Sequence, residues 1–358
     1  MGRFNCLINK FAGIFLLVVL FMCSCTPRDK YITLSGYAQG VTYSVKLNLN
    51  GCDGMVRESV SSIADSVDAI LRAIDQSLSG YNRNSLLSRF NEGEAISPDS
   101  LFIDIYRRST DIFEETSGAV DVASGPLFNI WGFGFKNGEL PSDELVAQTL
   151  ADCGMSRLAK DMETAVDRDG VLVPAAMLKQ AGGSLPALNY NAVAQGYSCD
   201  VVAGYLYSLG VKDMMINIGE IFCDGVNPSG QPWTIGIDRP IDGNNELGAQ
   251  VQGIFHVPAG PHGVVTSGNY RKFYVRDGKK YAHTIDPRTG YPVTHNLLSA
   301  TVIAPDATLA DAYATFCMVI GLEESVAFIE SRSDLEAYLV YDEDGQLRSW
   351  TSSGLQLK

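Results

Sequence analysis

Between residues 213 and 303 one strand-like run follows another, "DMMINIGEIF", "QPWTIGID", "AQVQGIFHV" and "NLLSATVIA", with no helical period between them. Parallel strands need a long crossover, usually a helix, between successive members. Here the helical patterns lie before and after the block. The order therefore points to an α+β fold with mixed or antiparallel sheets flanked by helices, and away from a doubly wound parallel sheet.

The flanks fill in the rest. Residues 31–47, "YITLSGYAQGVTYSVKL", alternate and are rich in β-branched and aromatic types, with breaks at Gly36 and Gly40, which fits two short strands. From Val60 the apolar positions Ile63, Val67, Ile70, Ile74 and Leu78 fall three or four apart, the period of an amphipathic helix. A second helix is expected over about 99–116, stopping at Gly118. A third runs through "NAVAQGYSCDVVAGYLYSLG" to Gly210, and a fourth follows Pro305-Asp306 and ends near Gly321. A further helix and a hairpin around "YDEDGQLRSW" complete the chain. No repeat, linker or hinge interrupts it, so residues 25–358 read as one domain.

The first residues differ. Arg3 and Lys10 form a basic start before an apolar run, Phe11–Met22, that is too short to span a bilayer and suits a secretory signal. Ser24 then precedes Cys25. The pattern resembles a bacterial lipoprotein signal, with residues 1–24 removed and Cys25 lipidated, and with Cys23 as a competing site. That resemblance implies an exported protein anchored in a membrane and facing the periplasm or the exterior. The later cysteines, Cys52, Cys153, Cys199, Cys223 and Cys317, are widely spaced and contain no CxxC, so they suggest small buried side chains rather than a zinc site or a disulfide framework.

A formal charge of −14 leaves no basic stripe for nucleic acid. A phosphate ligand would need local help from a metal, a helix N-terminus or a few basic side chains. "WGFGFKNG" lacks GxGxxG spacing, and no GxxxxGK[ST] occurs, which argues against Rossmann and P-loop sites. The four histidines, His256, His262, His283 and His295, show no zinc-type spacing.

Four stretches stand out. In "LADAYAT", Asp311 and Thr315 lie four apart on an expected helix, one face carrying an all-oxygen donor pair that suits Mg²⁺, although first-turn solvation would use the same residues. In "NYNAVAQGYSCD", Asn189, Asn191 and Gln195 gather where a helix starts, with Ala194 and Gly196 allowing close packing; plain capping is the competing reading. "GVVTSGNYRKFYV" reads as a polar turn, Thr266-Ser267-Gly268-Asn269, followed by Arg271 and Lys272. "KKYAHTIDPRTGYPVTHN" places His283 and His295 around an Asp-Pro step and a Thr-Gly turn, a segment too rigid for helix or central strand.

These stretches, together with "QGVTYSV", "SLSGYNRNSLLSRFN", "TSGAVDVASGPLFNIWGFG" and "INIGEI", run in register across nearly all of residues 39–315 and resemble the ApbE-like flavin transferases, FAD:protein FMN transferases once called thiamine-biosynthesis lipoproteins. The resemblance implies Mg²⁺-dependent cleavage of FAD, with FMN passed to a threonine hydroxyl of an exported flavoprotein and AMP released; related members hydrolyse FAD to FMN and AMP. It implies Asp311, Thr315 and the carbonyl of Ala192 as metal ligands, and His283 with Asp311 as catalytic residues. Gln39, Tyr81, Ala119, Val120, Asp121, Asn189, Gln195 and Ile285 fall where family members contact FAD, and Ser267 and Gly268 line the phosphate end. The chain departs from the family at Asn189 (commonly Asp), Gln195 (commonly Lys), Gln39 (commonly Met) and at "IGE", one glycine short of the usual "IGGE". A non-catalytic FAD-binding lipoprotein is the alternative those departures leave open.

Overall fold

The computed structural model describes residues 31–51, 54–133, 140–180, 184–240, 250–269, 273–276, 279–282 and 284–357. The strands are β1 (Tyr31–Ala38), β2 (Val41–Asn48), β3 (Asn50–Gly51), β4 (Gly54–Met55), β5 (Met214–Ile218), β6 (Glu220–Asp224), β7 (Thr234–Asp238), β8 (Val251–His256), β9 (His262–Gly268), β10 (Phe273–Arg276), β11 (Lys279–Ala282), β12 (Leu297–Ala304), β13 (Glu336–Glu343) and β14 (Gln346–Thr351). The helices are α1 (Val60–Leu78), α2 (Leu86–Asn91), α3 (Ser100–Glu115), α4 (Gly125–Ile130), α5 (Asp143–Asp152), α6 (Ala194–Ser208), α7 (Ala307–Ile320) and α8 (Leu322–Glu330).

Eight strands form one sheet in the order β1-β2-β5-β6-β9-β12-β13-β14, and every neighbouring pair is antiparallel. The fold is thus α+β, as the strand block implied. The N-terminal hairpin turns on Gln39 and Gly40, whose φ values of 52° and 79° suit a two-residue turn whose twist matches its strands. It docks beside β5, a pairing of distant segments that joins the early strands to the central block.

One face of the sheet carries the helices. Ala310, Tyr313, Ala314 and Cys317 of α7 pack on Val265 of β9 and on Ala300, Val302 and Ala304 of β12. Cys199, Val202, Ala203 and Leu206 of α6 pack with α1 on the inner residues of β2 and β5. A further layer, built from α1, α2, α3 and the segments after them, covers these helices through Phe90, Phe102, Ile105, Tyr106 and Tyr190. On the opposite face the β7–β8 hairpin brings Trp233, Ile235 and Phe255 against Val264, Ile303, Tyr338 and Val340. No described helix is long and apolar enough to cross a membrane.

Two local expectations are corrected. The third helix begins at Ala194 rather than at the asparagines; residues 190–193 form a turn in which the Val193 and Ala194 amides both donate to the Tyr190 carbonyl. And Thr266-Ser267-Gly268 is not a turn but the end of β9, in the middle of the sheet. Its polarity is satisfied within the fold, since Thr266 Oγ1 lies 2.8 Å from Thr301 Oγ1 on the neighbouring strand. Cys153, Cys199, Cys223 and Cys317 are free thiols, the last three buried, as the spacing suggested. Cys52, Cys23 and Cys25 lie outside the described residues.

Candidate active site

Helix α7 is apolar almost all round, and Asp311 is its only charged residue. A charge in such a helix is costly unless something outside the helix needs it. The carboxylate is 5% exposed and accepts one hydrogen bond, from the Gly196 amide to Oδ2 over 3.1 Å. Burial pushes its pKa up to about 7, the Gly196 amide opposes that, and the charge of Asp200 adds to it. First-turn solvation does not explain this residue. The first turn of α7 is served by Asp306, whose Oδ1 accepts from Leu309 N over 2.8 Å. Asp311 lies beyond that turn and faces α6 instead.

Close approach of the two helices makes this possible. A Cβ on Gly196 would overlap the Ala307 carbonyl oxygen and lie 3.0 Å from Asp311 Cβ, so only glycine fits there. One turn on from Asp311, Thr315 Oγ1 stands 3.5 Å from Ser267 Oγ on β9. The 190–193 turn that contains Ala192 leads directly into α6. Asp311 thus faces the start of α6, and Thr315 faces the end of β9 beneath it. Among the described residues no basic side chain pairs with Asp311, and no group of three or more His, Cys, Asp or Glu could hold a metal. A lone buried carboxylate with a hydroxyl on the same helix face fits a hard cation that keeps much of its shell for water or phosphate.

Two of the segments expected to contact flavin are joined just before α6. The Asn189 amide donates to the Val122 carbonyl over 2.6 Å, which ties the 188–193 segment to the 119–124 turn. Asn91, at the end of α2, fixes the same segment through bonds to both the amide and the carbonyl of Leu188. Ala119 and Val120 are buried in the core, so a ligand would meet their main chain rather than their side chains. Asp121 accepts from the amides of Ala123 and Met155, and burial pushes its pKa up to about 6. Ile285 also packs in a core, with Leu127, Trp131 and Val146. Tyr81 is 67% exposed on the turn between α1 and α2.

Two departures from the family pattern have local accounts. Gln39, left-handed at the β1–β2 turn, donates from Nε2 to Ser198 Oγ of α6 over 2.5 Å. The shortened "IGE" segment forms the β5–β6 hairpin, with Ile218 opposite Glu220 and Gly219 at φ 86°. A Cβ on Gly219 would come 2.6 Å from Gln195 Nε2, so the Gln195 side chain lies over that turn. Nothing in the structure explains Asn189 in place of an acid.

His283, Arg271 and Lys272 lie outside the described residues. The residue after His283 does not: Thr284 is buried and donates from Oγ1 to Asn269 Oδ1 over 2.6 Å, two residues past Ser267. The loop that follows is well braced. Asp286 binds the Arg288 guanidinium through both oxygens, Trp131 Nε1 donates to the Gly290 carbonyl, and Val293 N donates to the Thr284 carbonyl. Asp200 and Arg108, which hold the start of α7, form no motif of their own in the sequence, although Asp200 stands one turn after Gly196.

The sequence model of the ApbE family matches residues 39–339. The chain belongs to that family. It is 31% identical over 348 residues to the FAD:protein FMN transferase of Haemophilus influenzae, covering 95% of this chain and 94% of that one. It is 33% identical over 335 residues to the FAD:protein FMN transferase of Escherichia coli, covering 91% and 89%. The flavinyl transferase ApbE of Pseudomonas stutzeri, in its apo form, superimposes with a TM-score of 0.73 at 29% identity, over 91% of this chain and 95% of that one. ApbE-family architecture therefore extends over nearly the whole described chain.

Proposed function

We propose that this protein is a Mg²⁺-dependent FAD:protein FMN transferase that acts on a threonine of an exported flavoprotein. The observation that carries the reading is the single buried carboxylate of α7, Asp311, unpaired by any described basic group and sharing a helix face with Thr315. The names of the family relatives supply the substrate.

Asp311, Thr315 and the Ala192 carbonyl would hold the ion. When bound, Mg²⁺ neutralises charge on the FAD diphosphate and polarises its phosphorus centres. The chain's own residues do the rest. Ser267 and Gly268, at the end of β9, would meet the diphosphate, with the Ser267 hydroxyl as a hydrogen-bonding group. His283 then takes the proton of the acceptor hydroxyl as its oxygen bonds to the phosphorus of the FMN half. The diphosphate P–O bond breaks, and AMP leaves. The signal-like start supports an exported protein with residues 1–24 removed and Cys25 lipidated, so that the acceptor is met outside the cytoplasm.

The test uses residues 25–358 with FAD, Mg²⁺ and a flavoprotein domain that presents a threonine. AMP should appear in step with covalent flavin fluorescence on the acceptor, and Asp311→Asn should abolish both. His283→Asn should cut transfer by about a hundredfold while FAD binding changes far less. AMP without a labelled acceptor makes the protein a pyrophosphatase. FAD binding with no AMP makes it a carrier.

A further inference from the structure

Helices α6 and α7 are joined by hydrogen bonds at two points, and only one of them lies in the site described above. At the first, the Gly196 amide donates to Asp311 Oδ2. At the second, Asp200 Oδ1 accepts from Ala307 N and Oδ2 from Thr308 N, each over 2.9 Å, and the Thr308 hydroxyl also donates to Oδ2. Gly196 and Asp200 are four residues apart on α6, while Thr308 and Asp311 are three apart on α7. The two joints therefore stand one turn apart along both helices, like consecutive stitches in a seam.

Capping does not require the second joint in this form. The first four amides of a helix lack partners within it, and a local side chain usually serves one of them. Asp306 already does so, its side chain accepting from Leu309 N and its carbonyl from Ala310 N. Asp200 takes the two remaining amides from another helix and is itself largely buried to do it. Arg108 of α3 completes the arrangement. Its Nη1 reaches Asp200 Oδ2 at 3.3 Å and Thr308 Oγ1 at 2.9 Å, and its Nη2 reaches Asp306. Three helices thus meet on one carboxylate whose partners fix the start of α7 in position along α6.

We propose that Asp200 is a positioning residue for the Asp311 site. By holding the first two amides of α7 it sets the register of that helix against α6, and so sets where the Asp311 carboxylate stands relative to the Gly196 amide and the turn that carries Ala192. A slip of one residue moves α7 by about 1.5 Å, more than a metal–oxygen bond tolerates. The inference rests on the metal-site reading above, and the measurements below keep the two apart.

The experiment compares the mature chain with its Asp200→Ala, Asp200→Asn and Thr308→Ser variants. Three quantities are read on each: amide exchange of the peptide that spans Gly196, affinity for Mn²⁺ as the metal probe, and kinetics against FAD at several Mg²⁺ concentrations. In folded Asp200→Ala, exchange at Gly196 should quicken and Mn²⁺ affinity should fall by about tenfold or more. The rate should recover as Mg²⁺ is raised, with the KM for FAD at saturating Mg²⁺ unchanged. Thr308→Ser keeps the hydroxyl and should match the unaltered protein. If Asp200→Ala does not fold, Asp200→Asn, which keeps one acceptor oxygen, should show the same changes at smaller size. A variant that loses thermal stability but keeps Mn²⁺ affinity and Gly196 exchange overturns the proposal, because Asp200 is then only part of the scaffold. Failure of the unaltered protein to bind Mn²⁺ sinks the metal reading instead, and Gly196 exchange still decides whether Asp200 sets the register.

Discussion

His295 uses both ring nitrogens. Its Nδ1 accepts from Leu297 N over 3.3 Å, so Nε2 carries the proton and donates to the Met318 carbonyl over 2.9 Å, near the C-terminal end of α7. A second proton would set Nδ1–H against the Leu297 amide. Burial also lowers the pKa from the usual 6.5, the bonds to backbone carbonyls only partly opposing it. The sign follows. The unfolded chain takes up a proton near 6.5 and the folded chain only at lower pH, so the contribution of His295 is complete above 6.5 and is lost as pH falls through the lowered value. Unfolding titrations of the unaltered protein and of His295→Ala should differ by about 1 kcal/mol at pH 7.5, with the gap narrowing toward pH 5. Of the two histidines that frame the Asp-Pro loop, this one is held by the fold itself. Their sequence context gave no means of telling them apart, because the decisive neighbour, Met318, lies 23 residues away.

At the scale of elements, the contact between α6 and α7 is the tightest constraint on the site. Ala307 and Asp311 leave no room for a side chain at 196. Gly196→Ala should therefore lower stability by about 2 kcal/mol as the helices part, and Mn²⁺ affinity should fall more than thermal stability alone explains; a calorimetric titration beside a thermal melt checks both. Much at this scale could be read in advance. The period of α1, the small residues of α6 and the spacing of Asp311 and Thr315 all carry local patterns that survive in the fold. The β9 end was misread because Thr266 and Ser267 look like turn residues until their partners, Thr301 on β12 and Thr315 on α7, are known. Asp200 escaped for the same reason, since its partners on α7 lie more than a hundred residues away.

Over the whole molecule, the two faces of the sheet do different work. The helical face carries Asp311, Thr315, Ser267 and the turns that surround them, whereas the face under the β7–β8 hairpin is closed by Trp233, Phe255, Tyr338 and Leu355. The C-terminal residues secure that second face. Ser352 and Gly354 hold Glu336, and Leu357 pairs with Phe255. Removing residues 352–358 should lower the thermal midpoint by several degrees, as the loss of about 1–2 kcal/mol of burial and hydrogen bonding implies, yet leave Mn²⁺ affinity at 10 °C unchanged. A fall in affinity would mean that the two faces are coupled. The division was hidden in the sequence, because strands of both hairpins share the same alternating pattern and only the order of pairing assigns them to a face.

One consequence comes from where the only charge of α7 sits. Helices loosen from their tips, and a carboxylate at a tip can escape to water by unwinding a few residues. Asp311 has no such exit: a capped turn precedes it, and two apolar turns packed in the core follow. The backbone around the carboxylate therefore stays wound, so a cation held there as proposed would meet a seat of fixed shape.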